Sequence, residues 1–177
     1  MSELEEFRQM KDDLFREPFQ SPLSAEQRKN FQGLNYFPEN AALRLELLLE
    51  KYAKPERIKT QTSTGAVQEY FKAGQIHFPI DGESVALQVY QSADGSGDYF
   101  IPFVDATAPE ESYGAGRYLE PEDLGDDLLR VDFNLSYNPY CAYNSRWSCP
   151  LPPAENRLRV RIEAGEKNIT IEVECKR

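Results

Sequence analysis

The sequence has little of the chemistry on which metal sites and histidine-based mechanisms depend. It contains one histidine, His77, and three cysteines, and no C-x-x-C spacing occurs. A structural zinc site takes four ligands at closer paired spacing, so we predict no metal. An odd number of cysteines, with no apolar signal segment at the charged N-terminus, favours a reducing compartment over a disulfide framework. We therefore predict a cytoplasmic protein.

Long apolar runs and excess basic charge are also missing. No run approaches the roughly 18 apolar residues that a membrane helix requires. The 20 basic residues stand against 30 acidic ones, for a net charge of −10. Binding to a phosphate backbone or to anionic lipid needs a basic patch, so we expect neither nucleic acid nor membrane as a partner. The sequence leaves the oligomeric state open.

The acidic charge is concentrated in the middle of the chain. Residues 62–132 hold 14 acidic residues against three basic ones, a net charge of −11. Arg117 is one of those three bases. A solvated acidic face that maintains solubility is the simplest interpretation. It raises a local question, because Arg117 is either the internal counter-ion of this segment or a group that faces a ligand.

With 177 residues the chain has the length of one domain, and we predict a single domain over 1–177. Residues 1–35 form its helical N-terminal segment. Ser2 to Glu5 and Ser24 to Gln27 both match a capping box, and each precedes residues with apolar groups at helical spacing. We expect the apolar stripes of these two helices to pack on the core of the β domain.

Residues 42–175 read as a β domain made of short strands. Leu43 to Leu49 alternates apolar with polar residues, although its leucines and glutamates also suit a helix. Asp81-Gly82 is the strongest hairpin signal. The other predicted strands are 58–64, 69–80, 84–91, 99–104, 128–133, 158–163 and 169–174. The fold class is mainly β, an antiparallel barrel or sandwich with two N-terminal helices packed on it.

Residues 134–156 form the longest irregular stretch. It holds four of the 12 prolines, three tyrosines and the only tryptophan. Loops this long in a compact domain are usually functional or disordered, and large aromatic side chains seek burial. We predict an ordered loop packed over one end of the sheet.

Several motifs resemble those of a known family. They are FQGLNY at 31–36, IPFVDAT at 101–107, YGAGRYL at 113–119, DFN at 132–134, YNP at 137–139, CAYN at 141–144, CPLPP at 149–153 and AGEK at 164–167. In this order they resemble the domain-of-unknown-function family numbered 1684, found in bacteria and archaea. The resemblance implies one cytosolic domain and no particular activity.

The motif YGAGRY at 113–118 is the sharpest site signal. Its glycines allow close backbone approach, and the guanidinium of Arg117 offers five donors in a fork that fits a carboxylate or phosphate. We predict that a small polar or anionic molecule binds near Arg117 and the 134–156 loop. The predicted ligand-binding residues are Arg117, Tyr118, Asp105, Asp132, Asn134, Tyr137, Asn144, Tyr143, Trp147 and Cys141. In the alternative, Arg117 pairs internally with Asp105 or Asp132 and fastens the loop.

Two further hypotheses belong to other functional classes. Cys141, with Cys149 eight residues away, could serve a hydrolase or a thiol-redox enzyme, although free cysteines usually pack as small hydrophobic residues. His77 on a strand is a candidate base for Cys141, but a surface or core position is the more common one. A structural or interaction protein without a small-molecule site is the third hypothesis. We predict no cofactor, because no dinucleotide, metal or haem motif occurs.

Overall fold

The computed structural model describes residues 1–171, which begin with two helices. These are α1 (Glu3–Arg16) and α2 (Ala25–Asn30). Each begins with a complete capping box, in which Ser2 accepts from the N–H of Glu5 and Ser24 accepts from the N–H of Gln27. The boxes satisfy N–H groups that a first helical turn leaves unpaired, and both predicted helices are confirmed. With 14 residues in the longer one, neither described helix has the dimensions of a membrane span.

Eight strands follow within residues 1–171. They are β1 (Arg44–Leu48), β2 (Glu50–Gln61), β3 (Val67–Ile80), β4 (Glu83–Ser92), β5 (Tyr99–Phe103), β6 (Arg117–Leu119), β7 (Glu122–Asp123) and β8 (Leu128–Asp132). Four short 3₁₀ helices span Ala41–Leu43, Phe133–Leu135, Tyr140–Ala142 and Ala154–Asn156. The described chain is therefore mainly β, as the sequence predicts.

The strands form two antiparallel sheets. Their orders are β1-β8-β7 and β2-β3-β4-β5-β6. Neither order closes on itself within the described residues, so the sandwich alternative fits and a closed barrel is not confirmed. The apolar faces of both sheets contribute to one core, which contains Ile76, Leu87, Ile101 and Phe103 from the larger sheet and Leu129 and Val131 from the smaller one.

The predicted hairpin and the ambiguous leucine segment both have local explanations. Asp81 and Gly82 take φ values of 49° and 81°, as a two-residue hairpin loop of type I′ requires, and they join β3 to β4. The segment that suited either a strand or a helix is a strand. Leu45 and Leu47 of β1 lie opposite Val131 and Leu129 of β8, so cross-strand pairing outweighs helix propensity.

The strand predicted over 158–163 is wrong. This segment runs beside the end of β5, where the N–H of Leu158 donates to the carbonyl of Val104 at 2.7 Å. The N–H of Ala106 then donates to the carbonyl of Val160 at 2.9 Å, and beyond this point side chains take the backbone groups. The N–H of Ile162 donates to the Asp105 carboxylate, and the carbonyl of Ile162 accepts from Arg117. Residues 169–171 form no strand, and the rest of the strand predicted over 169–174 lies outside the described residues.

The helices pack in a place that the sequence did not predict. Phe15 of α1 joins Leu23, Phe31, Ala142 and Tyr143 in a second apolar cluster, separate from the core between the sheets. The apolar stripe of α1 therefore lies on the 134–156 loop and not on the sheet core. The loop is ordered by this contact, with the rings of Phe15 and Tyr143 5.1 Å apart.

Candidate functional site

Arg117, the first residue of β6, is buried with 1% of its surface exposed. One terminal nitrogen, Nη2, donates to Asp105 at 3.1 Å and to the carbonyl of Ile162 at 2.9 Å. The other, Nη1, donates to the carbonyls of Ala164 and Glu166. Its Nε has no hydrogen-bond partner among the described residues. Of the two alternatives posed by the sequence, the structure contains the internal pair with Asp105.

The partner carboxylate is equally enclosed. Asp105 is 3% exposed and accepts from the hydroxyl and N–H of Thr107 and from the N–H of Ile162. Burial lowers the pKa of Arg117, and the charge of Asp105 opposes that shift. Four hydrogen bonds from the terminal nitrogens of Arg117 and three to Asp105 compensate the burial of the two charges, whereas either charge alone would be costly to bury. Both terminal nitrogens of Arg117 are bonded inside the protein, so neither is free to bind the anionic ligand that the sequence suggested.

Asp132 and Asn134 lie together at a different place. Asp132 accepts from the Nε of Arg44 at 3.0 Å and from the side-chain amide of Asn134 at 2.9 Å. Asn134 is 1% exposed and also exchanges two hydrogen bonds with the backbone of Asn40. The hypothesis that Asp132 pairs with Arg117 is therefore wrong. Asp132 and Asn134 fix the entry into β1 and the exit from β8.

Three more predicted site residues serve the packing of the 134–156 loop. Tyr143 is 1% exposed and donates to the carboxylate of Glu166 at 2.8 Å. The side chain of Asn144 accepts from the N–H of Arg146 and shapes a turn. The indole N–H of Trp147 donates to the carbonyl of Pro22, between the helices. These contacts join the loop to the N-terminal segment.

Tyr118 and Tyr137 are the two predicted residues that reach a groove on the surface. Their backbones exchange two hydrogen bonds, and their rings lie 5.9 Å apart, edge to face. Phe100 lies 4.8 Å from Tyr118, and Tyr70 stacks on Phe100 at 5.5 Å. The four rings form one continuous row. With Pro150 they line a groove of about 300 Å³, which we call the aromatic groove.

The charged residues that line the aromatic groove, within the described part of the chain, are all acidic. Asp94 and Asp98 come from the turn between β4 and β5, and Glu120 follows β6. Glu120 accepts from the hydroxyl of Tyr137 at 2.8 Å. A hydrogen bond from the N–H of Ser96 lowers the pKa of Asp94, so this carboxylate is ionised at neutral pH. The three acidic residues of the groove all belong to the acidic segment 62–132.

Cys141 and Cys149 are both free, and each shifts the pKa of the other through a side-chain hydrogen bond. The hydroxyl of Tyr113 lies 3.7 Å from the sulfur of Cys141. The candidate base His77 instead lies on the exposed side of β3, 3.5 Å from a carboxylate oxygen of Glu50. Among residues 1–171, no three His, Cys, Asp or Glu side chains are grouped as a metal site would need.

Sequence reasoning missed Glu166 and half of the aromatic row. Glu166 is 1% exposed, forms an ion pair with Lys11 of α1 and accepts from the N–H of Asn138. Nothing in the local pattern around residue 166 indicates burial. Tyr70 and Phe100 come together through the register of β3, β4 and β5, which no motif specifies. The aromatic pairs Tyr70-Phe71 and Tyr99-Phe100 in two predicted strands were the one available signal.

Comparison with known proteins finds a family and a solved structure whose descriptions name no function. The family described as "Protein of unknown function (DUF1684)" matches residues 29–167. No curated protein matches. A similar solved structure is the solution NMR structure of an uncharacterised protein from Haloarcula marismortui. It has 41% sequence identity and a TM-score of 0.72, and the match covers 93% of this chain and 91% of that one.

Proposed function

This chain belongs to the DUF1684 family, whose description assigns no activity, and we propose from its surface geometry that it binds a small organic cation. The proposed site is the aromatic groove. One observation carries the proposal, namely a continuous row of four rings with acidic residues at its rim. A small polar ligand near the 134–156 loop remains the expected class. The sign of its charge changes from anionic to cationic, because Arg117 is inside the protein.

Aromatic faces attract cations through the negative charge at the centre of the ring. An ammonium group over such a face gains about 0.5–2 kcal/mol, depending on how far it is desolvated. The protein already uses one ring in this way, since the ammonium of Lys11 lies 4.8 Å from the centre of the Tyr137 ring. A second cation, on the groove side of the row, would meet the same attraction.

The acidic residues at the rim also favour a positively charged ligand. Asp94, Asp98 and Glu120 are exposed, and no basic side chain lines the groove among the described residues to neutralise them. Exposed carboxylates attract a cation over a distance comparable to the Debye length, so the attraction weakens with salt. A groove of about 300 Å³ suits a molecule of few heavy atoms. Quaternary ammonium compounds of the size of choline fit this description.

The test compares two molecules of the same shape and different charge. Choline carries a quaternary nitrogen where 3,3-dimethyl-1-butanol carries a quaternary carbon. We expect choline to bind about tenfold more tightly at low salt, the equivalent of about 1.4 kcal/mol. NMR titration should show the shifts at Tyr70, Phe100, Tyr118 and Tyr137. Equal affinity for both molecules, or binding of inorganic phosphate in place of choline, would contradict the proposal.

Two matched substitutions of acidic residues test whether the charge at the groove rim attracts the ligand. Asp98→Asn removes one rim charge and should weaken choline binding about two- to threefold, as expected for an exposed charge. Asp81→Asn removes the same charge at the β3–β4 turn, which does not line the groove, and should leave the affinity unchanged. If both variants weaken binding equally, the attraction comes from the net charge of the protein and not from this groove.

A further inference from the structure

The 134–156 loop brings two thiols into contact. Cys141 lies in the 3₁₀ helix Tyr140–Ala142, and Cys149 lies eight residues further along. Each thiol shifts the pKa of the other through a side-chain hydrogen bond, so the two side chains are neighbours. Two free cysteines placed this way differ from isolated core cysteines, which pack as inert small hydrophobic groups. They form what we call the dithiol.

Hydrogen bonds from the turn between β2 and β3, which lies outside the 134–156 loop, hold the backbone of Cys149 in place. The turn between β2 and β3 contacts the segment on both sides of Cys149, because Thr62 bonds the hydroxyl of Ser148 and forms a bridge with Pro150. The N–H of Ser63 donates to the carbonyl of Cys149 at 2.9 Å, and the N–H of Cys149 donates to the hydroxyl of Ser63 at 3.2 Å. Two residues later, the N–H of Leu151 donates to the carbonyl of Gln61. The backbone position of Cys149 is thus fixed by a separate element.

The surroundings of the dithiol favour a thiolate at one sulfur. Hydrogen bonds with the Cys149 thiol and the Tyr113 hydroxyl lower the pKa of Cys141 to about 6, although burial opposes the shift. The hydrogen bond with Cys141 and burial raise the pKa of Cys149, which keeps the proton. The thiolate is the reactive form of cysteine, and a thiolate beside a second thiol is the arrangement of reactive pairs. Cys141 is buried, with 8% of its surface exposed, whereas Cys149 is half-buried and therefore more accessible.

We propose that Cys141 and Cys149 form a redox-active pair that exchanges with small disulfides and closes to an intrachain disulfide. In the first step the Cys141 thiolate attacks one sulfur of a low-molecular-weight disulfide, RS–SR. A Cys141–SR mixed disulfide forms, and RS⁻ leaves and takes a proton from water. In the second step Cys149 gives its proton to water and its sulfur attacks that of Cys141, expelling the second RS⁻. The second RS⁻ also takes a proton from water. Counted from two neutral thiols, the protein loses two electrons and two protons, one of them when the Cys141 thiolate forms, and RS–SR becomes two RSH.

The inference is independent of the aromatic groove. Its geometry rests on the sulfur contact and on Tyr113, neither of which needs a bound cation. The disulfide used as a probe should be neutral, so that the acidic rim does not affect its approach. It should also be small, because only a limited fraction of Cys141 is exposed. The pair of 2-hydroxyethyl disulfide and 2-mercaptoethanol meets both conditions.

The main test uses the full chain with Cys175→Ser, since Cys175 is a third thiol and lies outside the described residues. The protein is equilibrated in buffers with increasing ratios of 2-hydroxyethyl disulfide to 2-mercaptoethanol. After acid quenching, we expect intact-mass analysis to show the loss of two hydrogen atoms and peptide mapping to show Cys141 linked to Cys149. Reduction with excess 2-mercaptoethanol should restore both thiols. A protein that stays reduced at every ratio, or that stops at two separate mixed disulfides, overturns the proposal.

A second measurement reads the thiolate directly in the folded protein. The rate of Cys141 alkylation by iodoacetamide should rise with a midpoint near pH 6, well below that of an ordinary thiol. Cys149→Ala removes one hydrogen-bond donor and Tyr113→Phe removes a second. Each should raise the midpoint by about one pH unit. In the Cys149→Ala variant, oxidation should also stop at the mixed disulfide on Cys141. A midpoint near pH 9 in the parent protein would show that Cys141 is a packing residue and would overturn the proposal.

Discussion

Replacing Arg117 by methionine should lower the free energy of unfolding by about 3–5 kcal/mol, because the substitution leaves the Asp105 carboxylate buried and without its charge partner. Methionine retains most of the apolar stem of arginine, so the loss reports the guanidinium and not its packing. Urea denaturation followed by the fluorescence of Trp147 measures the effect.

The size of the expected effect follows from the number of groups that Arg117 satisfies. Its two terminal nitrogens donate to one carboxylate and three backbone carbonyls, all in the buried region between β6 and residues 162–166. Lysine offers three donors from a single point and cannot reproduce the flat fork. Arg117→Lys should therefore recover the charge but only part of the lost stability.

An exposed ion pair provides the matched control. Arg130 pairs with Glu122 at 2.8 Å, with 43% and 62% of the two side chains exposed. Arg130→Met should cost less than about 1 kcal/mol, as measured for surface pairs in general. Asp105→Asn should destabilise the protein as Arg117→Met does, and the double variant should lose less than the sum, because both changes break the same pair. If Arg117→Met costs no more than Arg130→Met, the pair does not fasten the loop.

The sequence predicted the pairing of Arg117 only as one of two alternatives, and the reason is physical. An arginine within a segment of 14 acids has many potential partners, and sequence cannot rank them. Asp105 and Asp132 were equal candidates, yet Asp132 is occupied by Arg44 from β1, 88 residues away. The other acceptors of Arg117 are backbone carbonyls of 162–166. Their orientation depends on that segment leaving the sheet, where its alternating pattern predicts a strand.

Local signals were reliable wherever the determining contact is also local. The capping boxes at Ser2 and Ser24 and the turn at Asp81-Gly82 need only three or four consecutive residues, and all three are confirmed. The aromatic groove depends on contacts between strands that are distant in sequence. Tyr118 and Tyr137 could be named from the loop and the glycine-arginine motif. Tyr70 and Phe100 could not, since their contact requires the order of β3, β4 and β5.

Gly165→Ala should be as disruptive as the loss of Arg117, lowering the free energy of unfolding by about 3 kcal/mol or more, through strain and overlap together. Gly165 has φ of +78°, a conformation that disfavours any side chain. A Cβ placed there would lie 2.6 Å from the carbonyl oxygen of Ser136 and 2.8 Å from that of Phe133. Backbone oxygens cannot move aside as a flexible side chain can. Urea denaturation is again the measurement.

An alanine variant at Gly82 measures the conformational strain without the overlap, because Gly82 has nearly the same conformation as Gly165 and open space around it. Its φ is +81°, and no atom of the described residues lies within 4 Å of the position that a Cβ would take. Gly82→Ala should therefore cost only the conformational strain, about 1 kcal/mol. The difference between the two alanine variants gives the cost of the overlap with the 133–136 backbone. Equal losses would show that this overlap is relieved by a small shift and that the segment is not tightly held.

The losses at Gly165 and Arg117 should also depend on each other. Gly165 lies between the two residues whose carbonyls both accept from Nη1 of Arg117, and its own carbonyl accepts from the N–H of Phe37. Its left-handed conformation allows the chain to turn both neighbouring carbonyls toward one nitrogen. An alanine that shifts this turn already weakens the hydrogen bonds that Arg117→Met removes. The double variant should therefore lose at least about 1 kcal/mol less than the sum of the single losses, whereas strict additivity would place the two residues in independent structures.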